Sequence, residues 1–373
     1  PGFAKTFSAL AVRNYRLFAA GALVSNIGTW MQRVAQDWLV LKVSGHNATA
    51  LGITTGLQFL PLLLITPFAG VLADRLPKRT LLMAMQIAAM VTAVMLGVLA
   101  ITGHVQLWQI YVLTFIFGCA AAVDTPARQA FVNEMIGPER LVNAVSLNSA
   151  SFNLARMIGP ALAGVIIAAL GQGIGATGWV IVLNGMSFVA VFFSLKRIRS
   201  EELHPATPLK RGRGQLREAG RYVLTRTDIM VVMGVVAFAG TFGLNFQMTT
   251  ALMATDVYGK GAGEYGLLGS ILAIGSLTGA LLSARRTSTR QRLVIISGLL
   301  FGVTVTIAGL MPSYLTFALF LPIAGVTALT MITAANSFVQ LAVREDMRGR
   351  VIAIYMAVFM GGTPVGAPLL GVV

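Results

Sequence analysis

Arg33 and Asp37 stand four residues apart in an otherwise apolar stretch, a spacing that puts both on one face of a helix. An acid and a base so placed either satisfy each other or handle a proton. Moving the arginine relative to the carboxyl changes the carboxyl's hold on its proton. Asn26, Gln32 and Gln36 extend the same polar stripe. Asp124 and Arg128 repeat the four-residue spacing further on, and Arg156 stands alone in a third apolar run. Ionisable groups in such surroundings are costly, so each is a functional candidate. None of them belongs to an enzyme motif. His46, His104 and His204 are followed by Asn, Val and Pro, so no His-Glu-x-x-His zinc helix exists. The chain also lacks a Gly-x-Ser-x-Gly elbow and a Gly-x-x-x-x-Gly-Lys-Ser/Thr phosphate loop. Neither an enzyme, a metal nor a cofactor is expected, and ATP hydrolysis is not available as a source of work.

The elements that must carry these residues are membrane helices. The chain is 56% hydrophobic and 11% charged, where a soluble domain carries about 25% charged residues. A bilayer takes about 20 apolar residues to cross. Runs of that length are predicted at 17–41, 48–72, 80–101, 106–130, 141–170, 175–195, 229–254, 265–284, 293–311, 313–338 and 351–373. The lone Cys119 lies inside one of them, so no disulfide framework is present. No cleavable signal peptide is visible at Pro1 to Arg16.

A net charge of +15 does not imply nucleic acid, because the basic residues are spread over loops and do not gather on one soluble face. They fall on alternate connections. Lys5, Arg13 and Arg16, then Arg75, Lys78 and Arg79, then Arg128 and Arg140, the loop from Lys196 to Arg226, and the groups around Arg285 and Arg344 share one side. Lys42 and Lys260 alone mark the other. By the positive-inside rule the rich side is cytoplasmic, with the N-terminus and the central loop.

That loop divides the chain into a six-helix unit at 1–195, a basic linker at 196–228 and a second unit at 229–373 with five helices. Gly70 closes the second helix ahead of a basic loop, and Gly279 stands the same way before Arg285 and Arg286, as a duplicated unit gives. Two sixes make twelve, so a further helix is expected beyond Val373. The basic linker lies on anionic lipid as a topology anchor. A transport-inactive scaffold or sensor that docks partners through this loop is the alternative.

Between the second and third runs lies Gly70-Val71-Leu72-Ala73-Asp74-Arg75-Leu76-Pro77-Lys78-Arg79. It resembles the Gly-x-Leu-Ala-Asp-Arg-x-Gly-Arg-Lys loop of the major facilitator superfamily, with Pro77 in place of glycine and the last two bases reversed. The resemblance implies an all-α integral membrane fold of two six-helix bundles related by a pseudo-two-fold axis, and transport by alternating access. It makes Gly70, Asp74, Arg75, Lys78 and Arg79 a gating latch. Asp74 would cap the helix start at Gly349-Arg350, and Asp124, beside Arg128, would pair with Arg75 or Lys78.

The strings around Asp124-Thr125-Pro126-Ala127-Arg128 and Asn153-Leu154-Ala155-Arg156-Met157-Ile158-Gly159-Pro160 resemble the drug and siderophore exporter branch of that superfamily. Arg156, Gly159, Pro160 and Gly164 are also similar to the fifth-helix pattern of antiporters, with Ala155 and Ala163 replacing two glycines. Many exporters of the branch carry an acid after the first-helix glycine. Here Thr29 follows Gly28, which throws the coupling role onto Asp37. The expected cargo is small and amphipathic, met by Asn26, Gln32, Gln36, Gln58, Asn245 and Gln247 among Met and Phe side chains. A carbohydrate needs more buried hydrogen-bonding groups, and a strongly anionic cargo needs clustered bases, of which only Arg33 and Arg156 are available. Protons and lipid are the other expected partners, and the chain is expected to be a monomer in the plasma membrane.

Overall fold

The computed structural model describes residues 7–204, 215–284, 290–344 and 347–372, and all regular structure among them is helical. In a bilayer every backbone group must be satisfied within its own segment, and the helix does this for a continuous apolar run. Six long helices come first: α1 (Arg13–Ser44), α2 (Ala48–Arg75), α3 (Lys78–Ile101), α4 (Leu107–Met135), α5 (Pro138–Ala169) and α6 (Ile174–Lys196). They are followed by α7 (Gln215–Thr225), α8 (Thr227–Phe238), α9 (Phe246–Leu252), α10 (Ala262–Ala284), α11 (Gln291–Gly309), α12 (Tyr314–Ala342) and α13 (Arg348–Val372). Among the described residues ten spans, with α8 and α9 forming one, are long and apolar enough to cross a membrane. Helix α1 is long enough at 32 residues, but it carries the polar stripe. Its end is set by Gly45, whose φ of +66° is left-handed, and Asn47 then opens α2 by accepting from the Ala50 amide at 3.0 Å.

Two expectations are corrected. The run at 229–254 is not one helix: after α8 the backbone widens into a π-turn over Ala239–Gly243, breaks at Leu244 and Asn245, and resumes as α9. Gly240 and Gly243 weaken the helix there, and Asn245 Nδ2 donates to the Thr241 carbonyl at 2.7 Å, patching one freed acceptor. The basic linker is not all loop either. Helix α7 turns Ala219 and Val223 into a core shared with Val351 and Tyr355, and Glu218 reaches Arg350 at 2.7 Å.

Among the first six helices, α3 packs on α6, α2 on α4, and α1 on α5 and α6; later in the chain, α12 packs on α10 and α11. An apolar groove of about 800 Å³ runs between α8 and α11, lined by Phe238, Phe242, Leu299 and Val303. In the first set α6 packs on both α1 and α3. The two sets meet along α2 with α13 and α5 with α10. Arg13, Lys78, Arg140 and Lys196 lie at one end of the helices, the basic face, and Lys42, His46 and Lys260 lie at the other, the opposite face.

Both seams between the sets are built from small residues toward the opposite face. A Cβ on Gly164 would come within 2.7 Å of the Ala262 carbonyl, and one on Gly56 within 2.8 Å of the Pro368 ring. Such residues let helix backbones approach closely where lipid provides no hydrophobic drive for association.

Candidate functional site

Below those seams the two helix sets separate around a cavity of about 360 Å³. Trp30 and Arg33 of α1, Phe59 of α2 and Arg156 of α5 line it from the first set. Asn245, Gln247, Tyr265 and Phe359 line it from the second. Neither an aspartate nor a glutamate is among the lining residues.

Arg33 and Asp37 share a face of α1 as the spacing requires, yet they form no ion pair among the described residues. The Arg33 guanidinium lies over the Trp30 ring, 4.4 Å from its centroid, and 5.4 Å from that of Phe59. Its Nε, buried, has no hydrogen-bond partner. Arg156 lies over the same indole at 5.6 Å. Asp37 is instead held across the seam: the Tyr265 hydroxyl of α10 donates to Asp37 Oδ2 at 2.6 Å. The carboxyl is 3% exposed and sits one turn beyond Arg33 toward the opposite face, at the roof of the cavity. Tyr265 Oη also lies 3.4 Å from the Gln247 carbonyl oxygen of α9, a second acceptor for the same hydroxyl.

Other bonds join the sets on that side. Thr49 donates to the Gly371 carbonyl at 2.7 Å, the Ala262 amide donates to Gln172 Oε1 at 3.2 Å, and His46 meets Asp256 at 3.2 Å. The cavity is therefore closed toward the opposite face.

The remaining candidate residues divide. Asn245 and Gln247 line the cavity, and Asn245 Oδ1 is buried without a partner. Gln32 does not reach it: Asn184 of α6 donates to Gln32 Oε1 at 2.6 Å, so that amide is spent on helix packing. Asn26, Gln36 and Gln58 are not among the lining residues either, and Gln36 Nε2 is buried without a partner. The antiporter-like residues of α5 serve two surfaces. Arg156 and Pro160 face the cavity, Gly159 packs on Trp30 of α1, and Gly164 packs on the start of α10.

At the basic face, the surroundings of Gly70 and Gly349 and the side chains of Asp74 and Arg75 lie outside the described residues. Asp124 pairs with Arg128 at 2.9 Å and accepts from Gln86 at 2.8 Å. Lys78 does not reach it. Its partner is Glu134 at 2.7 Å, with both side chains close to a tenth exposed. The reason is depth: Lys78 opens α3 at the membrane face and Glu134 stands one residue from the end of α4, while Asp124 is ten residues deeper, about 15 Å at 1.5 Å per residue. Arg79 donates to the Lys196 carbonyl at 2.8 Å and to Ser200 Oγ at 2.7 Å, tying this face to the end of α6.

The ten apolar spans and the polar-striped α1, packed around a central cavity among the described residues, have the architecture of a major facilitator superfamily transporter. The chain belongs to the transmembrane secretion effector family of that superfamily, whose profile matches residues 4–373. It is 28% identical to the multidrug efflux pump Tap of Mycolicibacterium fortuitum over 372 residues, covering 95% of this chain and 87% of that one. It is 32% identical to the staphyloferrin A transporter of Staphylococcus aureus over 154 residues, which span 41% of this chain and only 38% of the relative's length. Among solved structures, a bacterial homologue of the human lysosomal transporter Spinster, in an inward-facing and occupied conformation, superposes with a TM-score of 0.74 at 16% identity, covering 97% of this chain and 82% of that one. At that identity the likeness concerns the fold alone.

Proposed function

We propose that the protein is a proton-coupled exporter of small amphipathic molecules working by alternating access. The observation that carries this reading is the place of Asp37, a buried carboxyl at the roof of a central cavity, held by Tyr265 across the seam between the two helix sets. A proton arriving on Asp37 changes what it offers Tyr265, and the seam is the surface that must part for the other face to open. Coupling and gating meet in one bond. The relatives named as an efflux pump and a siderophore transporter support export of drug-like or siderophore-like cargo.

In this account residues 1–195 and 229–373 are the two rocking units and 196–228 the linker, with the basic face cytoplasmic in the plasma membrane. The structure then corresponds to the stage closed on the outside. Asp74, Arg75, Lys78 and Arg79, with Asp124 and Arg128, form the latch that closes the cytoplasmic side at the opposite stage of the cycle. The α5 glycines and Pro160 give the antiporter its close helix contact. The protein works as a monomer.

The test is dye efflux from proteoliposomes. An imposed pH gradient drives efflux of amphipathic dyes if the reading holds, and efflux indifferent to the gradient contradicts it.

A further inference from the structure

Two guanidiniums face the cavity, and among the described residues neither has a carboxylate within ion-pair distance. Among the described residues Arg33 and Arg156 make no hydrogen bond or ion pair, both lie over Trp30, and Arg33 Nε is buried and unpartnered. The nearest carboxyl along α1, Asp37, is engaged by Tyr265 and is not among the lining residues. Stacking on an indole stabilises a cation through the ring's face, but leaves the in-plane N–H donors without acceptors. Both side chains are partly exposed to the cavity, which leaves their outer donors open to a partner of opposite charge with matching oxygens, while the buried Arg33 Nε lacks an acceptor at some cost.

Phe59, Leu272, Ile332 and Phe359 give the wall a largely aromatic and aliphatic surface around the two bases, and its other polar groups, Asn245 and Gln247 among them, are neutral. A cavity of about 360 Å³ admits a molecule of drug size. From sequence the two arginines look isolated, one on the first helix and one on the fifth. The fold brings them to a single ring.

We propose that this cavity selects amphipathic organic anions: a carboxylate, or an oxyanion of like geometry, accepted by Arg33 and Arg156, on an aromatic or aliphatic body packed against Trp30 and Phe59. The proposal rests on the export reading for its consequence in the cell, but concerns binding and stands or falls separately.

The test uses three matched fluorescent probes, dansyl-aminohexanoate, its primary amide and dansylcadaverine, with purified protein in detergent. Energy transfer from tryptophan to dansyl reports binding. The carboxylate binds at least tenfold tighter than the amide or the amine. Arg33→Gln and Arg156→Gln each abolish that preference without weakening the amide, while Arg156→Lys retains part of it. Circular dichroism and size-exclusion profiles that match the parent protein show that each variant is folded. A carboxylate that binds no tighter than its amide and amine, including no binding by any of the three, overturns the proposal, as does a preference that survives both glutamine substitutions. The same probes loaded in proteoliposomes separate the two readings. Carboxylate selectivity in detergent without gradient-driven efflux keeps the anion site and contradicts export, whereas driven efflux of the amine in preference to the carboxylate does the reverse.

Discussion

Tyr265 of α10 donates a 2.6 Å hydrogen bond to Asp37 of α1, and this bond crosses the seam between the two helix sets at the roof of the cavity. Asp37 is thereby tied to the second helix set, while Arg33, its neighbour one turn away, lies over Trp30. The first prediction concerns that bond. Tyr265→Phe removes the hydroxyl and keeps the ring, and hydrogen bonds between membrane helices are worth about 1–2 kcal/mol at most. The closed seam should lose several-fold in population. Spin labels placed on the opposite-face ends of α1 and α10 should show a larger share of long distances than in the parent protein. An unchanged distribution would mean that the bond has no part in closure.

The seam itself gives a second expectation. A side chain at Gly266 meets the Pro160 backbone of α5, and Gly164 meets Ala262 in turn. Gly266→Val therefore forces apart two backbones that glycine lets touch, and overpacking of this kind costs about 1–3 kcal/mol. Because the clash exists only when the seam is shut, the variant should remain folded and inserted but resist closure at the opposite face. Cysteine accessibility from that side should rise. Protection equal to that of the parent protein would show that the seam accommodates the added methyl groups.

A third expectation lies at the basic face. Lys78 and Glu134 tie the start of α3 to the end of α4 at 2.7 Å, with 12% and 10% of the side chains exposed. Breaking a buried pair by removing one partner costs about 3–5 kcal/mol, and replacing both by apolar groups is often close to neutral. The residual exposure places Glu134→Gln at the low end of that range. Thermal unfolding should show a marked drop for Glu134→Gln and recovery in the Lys78→Met, Glu134→Leu double variant. Additive losses in the double variant would show that the two side chains act independently.

How much of this was legible in the sequence follows from what each signal measures. Apolar length places the membrane helices, because nothing but a helix of about 20 residues satisfies such a run in lipid. Asp37, Arg33 and Arg156 stand out because charge is conspicuous against that background. Tyr265 does not: a tyrosine at the start of a membrane helix looks like an interfacial anchor, and nothing local to it points to a residue 228 positions away. Glu134 falls just beyond the predicted end of the fourth helix, in a segment read as loop. The break at Leu244 and Asn245 is hidden because hydropathy continues through it. The polar stripe alone places Gln32 with the cavity residues. Only the packing of α6 shows that Asn184 takes it.

The central claim is that Asp37 is the proton-coupling group and Asp124 a structural one, held by Arg128 and Gln86 at the basic end of α4. The direct measurement compares Asp37→Asn with Asp124→Asn in proteoliposomes, following gradient-driven efflux and gradient-independent substrate exchange separately. Asparagine keeps a side chain of the same size that can still accept from Tyr265, but cannot take up or release a proton. The account predicts that Asp37→Asn alone loses driven efflux by at least tenfold while exchange continues. Asp37→Asn that pumps at the parent rate with unchanged pH dependence would contradict it.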